Sequence, residues 1–426
     1  MRTDFTPAQL ADPDVAASEA QIRKCVRCGF CTATCPTYVL LGDELDSPRG
    51  RIYLIKDMLE AERIPSPQVV RHIDRCLSCL SCATTCPSSV DYRRLIDHAR
   101  TYVEARYRRP WPDRAYRQLL AWVLPHPRRF RLALRLAALA RPLRGLFARA
   151  PGLQPAGAML ALAPRSLPRP EPQPAAGGGR GRVVVLEGCA EPVLRPQVRA
   201  ATLRLFGRMG LAVVRAAGEA CCGALVHHLG REDAAKAAAR ANVDAWTAEL
   251  DGAGLDAIVV TAAGCGTSVK HYGELLREDP AYAAKAARIS ALARDVSEVI
   301  AAFGLPPAGK AEPLRVAYQS ACSLQHGQGV TAPPVRLLAQ AGFTVSEPAE
   351  AHLCCGSAGT YNILEPAIAG RLRERKAGRL AELGADVVAS GNIGCLTQLA
   401  PALDIPAVHT VELLDWACGG PRPAGV

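Results

Sequence analysis

The sequence predicts a multidomain protein of the α + α/β class, in which a helix-rich N-terminal domain precedes a duplicated α/β domain. Three observations support this prediction: two dense cysteine runs near the N-terminus, short apolar segments that alternate with helical segments after residue 181, and a Cys-Cys-Gly motif that occurs twice in that later part. Cysteine content divides the chain further, because residues 109–181 contain none. We therefore expect four units, at residues 1–108, 109–181, 182–310 and 311–426.

Composition narrows the classes of function that the chain can serve. Its 426 residues are 49% hydrophobic and 21% charged, which supports a large core and excludes general disorder. The net charge of +11 favours an acidic partner, but aromatic residues make up only 5%, so we expect no nucleic-acid binding. A polar N-terminus and the lack of a long apolar stretch predict a cytoplasmic protein, where 17 clustered cysteines point to metal or redox chemistry.

Two cysteine runs in the first unit follow one pattern, C-x2-C-x2-C-x3-C-P, and lie 51 residues apart. This run is typical of bacterial ferredoxin-type domains with two [4Fe–4S] clusters, so we expect a two-cluster ferredoxin-like domain. Three closely spaced thiolates hold one cluster, and the fourth cysteine reaches across to the other. The resulting ligand sets are Cys25, Cys28, Cys31 and Cys86 for cluster 1, and Cys76, Cys79, Cys82 and Cys35 for cluster 2.

Zinc is the alternative for these cysteines, but zinc ligands usually form two separated pairs, and a full run followed by proline is more specific for iron–sulfur chemistry. Such clusters carry single electrons, whereas oxidation of an organic substrate commonly removes two electrons at a flavin or nicotinamide. The glycine-rich stretch 177–181 precedes a predicted strand, so it does not match a dinucleotide-binding turn. We therefore expect no catalytic residue in this chain and a partner protein that performs the two-electron step.

The segments between and after the motifs are predicted to be helical, including residues 48–60. The second unit contains a basic amphipathic helix, kinked at Pro142, with arginines expected on one face and leucines on the other. These residues are Arg128, Arg131, Arg135 and Arg141, and Leu132, Leu136, Leu139 and Leu143. Such a helix binds an anionic membrane surface, or it packs its leucines on the protein or a partner. Prolines and glycines from Pro168 to Gly179 indicate a linker.

The last two units repeat one plan at an offset of 133 residues. Each unit begins with an apolar strand, continues with a helix that ends near a glycine, and contains a further strand before a Gly-Cys pair. These segments are 182–186, 199–209 and 257–261 in one unit, and 315–318, 335–341 and 386–389 in the other. Alternating strands and helices predict a parallel sheet, with ligands beyond the carboxyl ends of its strands.

Each repeat contains four cysteines at matched spacings. They are Cys189, Cys221, Cys222 and Cys265, and Cys322, Cys354, Cys355 and Cys395. The glycine after each Cys-Cys pair lets the backbone turn tightly, so that both sulfurs can face one site. These sets predict an additional iron–sulfur cluster or zinc ion, and the alternative is buried free cysteines that pack as small apolar side chains.

The residues in and after the first motif resemble a known family. Residues 28–38 (CGFCTATCPTY) and 42–53 (GDELDSPRGRIY), together with the two Cys-Cys-Gly domains, resemble the glycolate oxidase iron–sulfur subunit family over nearly the full length. Lactate-utilisation iron–sulfur proteins, the anaerobic glycerol-3-phosphate dehydrogenase small subunit and heterodisulfide reductase subunits share the architecture. The last of these end each cysteine-rich pattern in Cys-x-x-Cys, whereas Ser268 and Gln398 stand at the final position here.

This resemblance implies a complex in which FAD-containing subunits oxidise glycolate to glyoxylate. The chain would accept the electrons and pass them toward a respiratory acceptor such as a quinone, and it could lie peripherally on the inner face of the cell membrane. One alternative is the equivalent subunit of a lactate or glycerol-3-phosphate dehydrogenase complex. Another is a non-redox assembly scaffold whose clusters only hold the fold.

Overall fold

A computed structural model describes residues 1–150, 152–164, 166–169, 177–309 and 311–426. Within these ranges the predicted α + α/β class is confirmed: a helical N-terminal part precedes two small parallel sheets covered by helices. Residues 170–176 of the predicted linker lie outside the described residues. Among the described helices, none carries an apolar stretch long enough to cross a bilayer.

Residues 1–108 fold as helices joined by short loops, with one 3₁₀ turn at Glu44–Asp46. The helices are α1 (Pro7–Leu10), α2 (Pro13–Lys24), α3 (Phe30–Thr34), α4 (Pro36–Leu41), α5 (Pro48–Glu60), α6 (Pro67–Asp74), α7 (Ser81–Thr85) and α8 (Tyr92–Arg106). Helices α1, α2, α5 and α6 each begin at a proline that follows a Ser, Thr or Asp cap, which fixes their starting points. Fully buried Ile22, Ile55, Ile73 and Leu95 join four of the helices in one core.

The cysteine-free region forms four more helices. They are α9 (Trp111–Val123), α10 (Pro127–Ala140), α11 (Arg144–Arg149) and α12 (Gln154–Leu162). The amphipathic helix ends at Ala140 and passes through a 3₁₀ turn at Arg141–Leu143, which agrees with the bend expected at Pro142. Helices α10 and α12 pack on the first repeat, where Leu134, Ala163 and Val193 share a small apolar cluster.

The first repeat contains four strands and eight helices. In chain order they are β1 (Gly181–Val185), α13 (Glu191–Leu194), α14 (Pro196–Met209), β2 (Leu211–Val214), α15 (Ala224–His228), α16 (Glu232–Gly252), β3 (Ala257–Val260), α17 (Ala263–Lys270), α18 (Tyr272–Leu275), α19 (Ala283–Leu292), β4 (Ala293–Asp295) and α20 (Val296–Phe303).

The second repeat contains four strands and five α-helices. They are β5 (Arg315–Tyr318), α21 (Ala332–Gln340), β6 (Thr344–Ser346), α22 (Tyr361–Leu364), α23 (Pro366–Ala381), β7 (Val387–Ser390), α24 (Ile393–Leu399), β8 (Ala407–His409) and α25 (Thr410–Ala417). A π-helical turn at Ser323–Gly327 follows Cys322, and a 3₁₀ turn at Ala400–Ala402 follows α24.

The two sheets have one topology. Their strand orders are β2-β1-β3-β4 and β6-β5-β7-β8, and all neighbouring strands are parallel. In each sheet the first strand lies between the next two, so the chain departs in opposite directions from β1 and β3, and from β5 and β7. Crevices at the carboxyl ends of such strand pairs are the usual ligand sites of open α/β sheets.

One apolar core joins the two repeats. It combines buried residues of both sheets, such as Val183 and Val387, with residues of α14, α20, α21 and α25. Buried Asp415 on α25 strengthens the junction, because Arg204 and Arg208 on α14 both donate to its carboxylate. The repeats therefore form one packed body, and this fixes the position of one set of cysteines relative to the other.

Candidate metal centres

The first ferredoxin-type quartet surrounds a small cavity. Cys25, Cys28, Cys31 and Cys86 line a space of about 30 Å³, and Cys82 of the second run also borders it. Cys25 ends α2, Cys31 lies in α3 and Cys86 ends α7. The fourth cysteine of the second run is thus brought to the first three cysteines of the first run.

The second quartet lies deeper in the protein. Cys35, Cys76, Cys79 and Cys82 are all buried. Burial raises the pKa of Cys82 well above its ordinary value, and the neighbouring thiolates of Cys79, Cys76 and Cys35 raise this pKa further. Four sulfurs so close in a dry site would repel one another as anions, so a bound cationic centre would relieve the repulsion.

The backbone of the two runs repeats as well as their sequence. Arg27 and Ser78, which are 51 residues apart, have left-handed φ values of +59° and +49°, and Gly29 and Leu80 have +92° and +62°. These residues stand between the cysteines and curl each run around one point. The structural equivalent of Gly29 is Leu80, which accepts a left-handed conformation that costs a non-glycine residue about 1 kcal/mol or more.

A buried ion pair, Arg51 with Asp46, lies next to the second ferredoxin-type quartet. Arg51 on α5 is 1% exposed and donates to the Asp46 carboxylate at 3.1 Å and to the His72 carbonyl at 2.6 Å. Its Nη1 also points to the Cys35 sulfur at 3.9 Å. A fixed guanidinium beside thiolates stabilises negative charge on sulfur. Sequence reasoning missed this pair, because Arg51 belongs to a helix whose pattern says only that it is amphipathic.

The first repeat gathers its four cysteines at the carboxyl ends of β1, β2 and β3. Hydrogen bonds from the thiols of Cys189 and Cys222 lower the pKa of Cys221 well below its ordinary value. The Cys265 sulfur accepts in turn from Cys222. The four cysteines are therefore neighbours in series beyond the carboxyl ends of β1 and β3, where the predicted sheet places a ligand site.

The second repeat builds the same quartet, with Cys322 and Cys354 sulfurs 3.7 Å apart. The Gly356 amide donates to the Cys354 sulfur at 3.4 Å and the Asn392 side chain donates to Cys395 at 3.3 Å, which are contacts that thiolates favour. Gly356 makes the turn at φ +88°, and Gly223 does so at φ +80° in the first repeat. The expectation that a glycine turns each Cys-Cys pair inward agrees with this geometry.

A buried lysine distinguishes the second repeat. Lys376 on α23 is 3% exposed, and its Nζ donates to the Glu350 carbonyl at 2.7 Å. Burial lowers the pKa of this ammonium, while the thiolate charges of Cys355 and Cys354 oppose that shift. Among the described residues no carboxylate pairs with this ammonium, so it needs other anionic neighbours, and the sulfur quartet supplies them. Val243 occupies the equivalent position of the first repeat.

The positions that would carry a fifth cysteine are engaged elsewhere. The Ser268 hydroxyl donates to the Gly264 carbonyl, and buried Gln398 bonds to Asn362 and to the Ala369 carbonyl. His326, which lies near Cys322 in sequence, is bonded to Thr84 and to the His352 carbonyl. Each repeat thus offers four sulfurs, a set that fits a tetrahedral metal ion or a four-iron cluster.

The second ferredoxin-type quartet adjoins the second repeat. The charge of Cys322 contributes to the raised pKa of Cys79, after burial itself. Leu77, Cys79, Cys354 and Tyr361 belong to one buried apolar cluster, against which Cys322 also packs. Three of the four quartets therefore follow one another through the protein, from the first run to the second run and on to the second repeat.

Helix α10 presents a surface that differs from the sequence expectation. Leu132, Leu136 and Leu139 are 57%, 58% and 80% exposed, and Arg128 and Arg135 are exposed on the same side. Arginines and leucines therefore share one outward side, and the expected opposite placement is wrong. The reason is that α10 buries a different stripe, which includes Phe130, Leu134 and Ala137, against the first repeat. We call the exposed set, with Leu143 and Leu146, the outer face.

Two of the four predicted arginines have other positions. Arg131 is half-buried and donates to the Pro192 carbonyl at 3.1 Å, which ties α10 to α13. Arg141 is half-buried in the 3₁₀ turn. Residues 114–170 contain no acidic side chain, so the segment that carries the outer face contributes only positive charge.

Comparison with known sequence families matches most of the units. A 4Fe-4S dicluster domain matches residues 21–90, and a cysteine-rich domain matches twice, at residues 183–270 and 316–400. The first match contains both ferredoxin-type quartets, and helices α1 and α8 lie outside it. The second and third matches contain the two Cys-Cys-Gly quartets.

Whole-chain relatives extend the similarity. The glycolate oxidase iron-sulfur subunit of Escherichia coli (strain K12) is 40% identical over 98% of this chain and 99% of that protein. A probable glycolate oxidase iron-sulfur subunit of Bacillus subtilis (strain 168) is 32% identical over 94% and 95%. Lactate utilization protein A of Macrococcus caseolyticus is 25% identical over only 55% of this chain. A crystal structure of a hypothetical protein from Helicobacter pylori shares the fold, with a TM-score of 0.56, 10% identity and coverage of 96% of this chain and 73% of that one.

Replacement of Gly356 by alanine tests the turn that aims Cys354 and Cys355. The new Cβ would lie 2.7 Å from the Ala369 carbonyl oxygen in a left-handed conformation, so we expect a loss of about 1–3 kcal/mol in the free energy of unfolding. Gly378→Ala is the control, because Gly378 lies in helix α23, which also contains Ala369, and nothing lies within 4 Å of its added Cβ. We expect this control to be neutral or stabilising by about 0.5–1 kcal/mol. Urea unfolding midpoints measure both effects, and equal midpoints would contradict a required turn.

Proposed function

The chain belongs to the family of glycolate oxidase iron–sulfur subunits, and from that premise we propose that it carries electrons from a glycolate-oxidising flavoprotein to a respiratory acceptor. The observation that carries the proposal is the continuous series of sulfur quartets from the first ferredoxin-type run to the second repeat. When bound, [4Fe–4S] clusters supply single-electron carriers within such quartets. The protein's part is to hold the ligands, keep water away and fix the order of the sites.

The proposed ligand sets for the two clusters are crossed between the runs. Cys25, Cys28, Cys31 and Cys86 would hold cluster 1, and Cys76, Cys79, Cys82 and Cys35 would hold cluster 2. The cavity that Cys86 shares with the first three cysteines supports this assignment, as does the burial of Cys35 with the second run. The buried Arg51 beside Cys35 would stabilise the reduced, more negative form of cluster 2.

We also propose that the repeats bind metal, as an additional iron–sulfur cluster or zinc. The quartet of the second repeat has the stronger support, because Lys376 is a buried cation that anionic sulfurs would balance. The quartet of the first repeat also has four cysteines, but no such cation stands at the equivalent position. Iron above about eight atoms per chain, or zinc, would distinguish these sites from the two ferredoxin-type clusters.

The two-electron step belongs to the partner in this proposal. FAD-containing subunits would oxidise glycolate to glyoxylate, which releases two electrons and two protons, and this chain would receive the electrons one at a time. Leu77 and Tyr361 are buried in the apolar cluster that contains Cys79 and Cys354, so the second ferredoxin-type quartet and the second repeat meet in apolar surroundings. A quinone is the proposed terminal acceptor, and the use of reduced cysteines supports a cytoplasmic location.

The outer face supports attachment to an anionic membrane surface. Three leucines that are more than half exposed, Leu132, Leu136 and Leu139, stand beside Arg128 and Arg135, in a region without acidic residues. Apolar side chains in the interface with arginines on anionic head groups are typical of peripheral helices. Exposed Trp122, over which Arg129 stacks at 4.7 Å, is a further interfacial side chain at the start of this surface.

A cysteine variant tests the crossed ligation. We expect Cys86→Ser to lose about one to four iron atoms, all from the cluster of the first run, because its fourth ligand is removed. The double variant Cys28→Ser/Cys86→Ser should then lose no more than one cluster, whereas Cys79→Ser/Cys86→Ser should lose both. Iron and sulfide analysis with electron paramagnetic resonance measures this. Cys418→Ser, a cysteine in the shared core outside all quartets, is the control. A Cys79→Ser/Cys86→Ser chain that keeps one intact cluster would refute the crossed sets.

Substrate-driven reduction tests the electron-transfer role. We expect glycolate to bleach the visible absorbance of this chain when purified FAD-containing partner subunits are present, and to have no effect on the chain alone. Lactate and glycerol 3-phosphate serve as the comparison substrates. Bleaching by one of these and not by glycolate would assign the chain to the corresponding complex. No bleaching with a catalytically active partner would favour the scaffold role.

Charge reversal tests membrane attachment. We expect the chain to bind phosphatidylglycerol-containing vesicles, with partitioning reduced about tenfold or more in Arg128→Glu/Arg135→Glu, because each arginine contributes about 1 kcal/mol at an anionic surface. Arg2→Glu/Arg294→Glu, at exposed positions away from the outer face, is the matched control for net charge. Sedimentation with vesicles measures the binding. Equal binding to neutral phosphatidylcholine vesicles, or loss of binding in the assembled complex, would indicate that the outer face packs on a partner instead.

A further inference from the structure

A large cavity lies between the two repeats and the cysteine-free helices. Its volume is about 330 Å³, within the range of small-molecule sites, and its walls are mostly apolar. Cysteines of both repeat quartets, among them Cys189, Cys265, Cys322 and Cys395, line its floor. It therefore opens at the carboxyl ends of both parallel sheets at once.

Metal at the quartets does not account for this space. The cavity beside the first ferredoxin-type quartet measures about 30 Å³, whereas the cavity between the repeats borders cysteines of two quartets. The cavity between the repeats has roughly ten times that volume. It extends away from the sulfurs to Leu120 and Val123 on α9, Phe130 and Ala137 on α10, and Met159 on α12. The roof of the cavity is thus built from aliphatic and aromatic side chains that no metal would use.

A few polar groups interrupt the apolar lining. His228 borders the cavity, and its buried Nδ1 has no hydrogen-bond partner among the described residues. Asn392 also lines the cavity, beside the Cys395 sulfur. A buried imidazole nitrogen without a partner is costly unless a ligand group meets it. An apolar molecule with a polar ring edge would match these walls and the few polar side chains among them.

The roof also faces the proposed membrane surface. Helix α10 lines the cavity with Phe130, Leu134 and Ala137 and exposes its outer face on the opposite side. A molecule that partitions into lipid would therefore meet this helix before it reached the cysteines. One layer of helix separates the outer face from the cavity.

We propose that this cavity binds the ring of a quinone-class acceptor, next to the quartets of the two repeats. The inference rests on the proposed electron-transfer function and specifies the site at which the electrons leave this chain. Reduction of a bound quinone to quinol consumes two electrons, delivered singly from the glycolate-oxidising partner through this chain, and two protons taken from water. The apolar roof holds the ring and tail, and the polar edge of the ring lies toward His228 and Asn392 at the cavity wall.

Binding of decylubiquinone to the purified, cluster-loaded chain tests the proposal. We expect saturable binding by equilibrium dialysis, with the Kd raised about tenfold or more in Ala137→Trp, because the new ring fills the cavity. Ala138→Trp is the matched control, since Ala138 is the exposed neighbour on the same helix, and its Kd should stay within about twofold. Equal affinity of the two variants would overturn the proposal.

Two further measurements use the wild-type chain, so they test the proposal even if Ala137→Trp fails to fold. A photoreactive azidoquinone should label the wild-type chain within the segments that line the cavity, at residues 119–137, 159–163, 186–228, 260–265, 322–363 or 392–397. Labelling confined to other segments would overturn the proposal. The tail alone, supplied as 1-decanol, should compete weakly. Competition by decanol as strong as by decylubiquinone would assign the cavity to acyl chains and not to a quinone ring.

The outcomes also separate this inference from the function on which it rests. Glycolate should bleach the clusters of Ala137→Trp to the wild-type extent in the complex with FAD-containing subunits and no quinone present. Bleaching without quinone binding in the wild type would leave the electron-transfer role intact and reject the cavity as the acceptor site. Loss of bleaching in the wild-type complex would reject the electron-transfer role itself.

Discussion

Crowded sulfur is the constraint on which the rest of the structure depends. Sixteen of the seventeen cysteines belong to four quartets, and within each quartet the thiols are close enough to perturb one another's pKa or to share one small cavity. Thiolates in a buried site repel one another, so the fold has to hold each quartet against that repulsion and supply positive charge. Short rigid helices, left-handed turns and buried cations do this in different places. Arg51 serves the second ferredoxin-type quartet and Lys376 serves the second repeat.

In the two repeats, the topology of the parallel sheets brings the cysteines of each quartet together. Strands β1 and β3, like β5 and β7, carry the chain away in opposite directions and leave a crevice at their carboxyl ends. Cysteines that are up to 76 positions apart in the first repeat meet there because three strands end at one edge. The shared core of the two repeats then sets both crevices in one body, facing one cavity. Duplication has therefore produced a two-walled site that neither repeat could form by itself.

The cysteine-free helices complete this arrangement from above. Their buried stripe closes the cavity, and their exposed stripe carries leucines and arginines. A helix with two different apolar stripes has little freedom to rotate, since either rotation would expose Leu134 or bury Arg135. The same segment thus connects the interior of the protein with the surface that is proposed to meet lipid.

The sequence by itself determined the local parts: both cysteine runs, the 51- and 133-residue repeats, helix α5 with its proline and serine start, strand β5, and the glycine turns after each Cys-Cys pair. These features depend on neighbours within a few residues, so composition and spacing reveal them. Only the tertiary structure decided which side of α10 is buried, that Leu80 takes the place equivalent to Gly29, that Arg51 and Lys376 lie beside sulfurs, and that the two repeats enclose one cavity. Each of these depends on contacts between residues far apart in the chain, where a periodic pattern specifies that a side is apolar but not what will cover it.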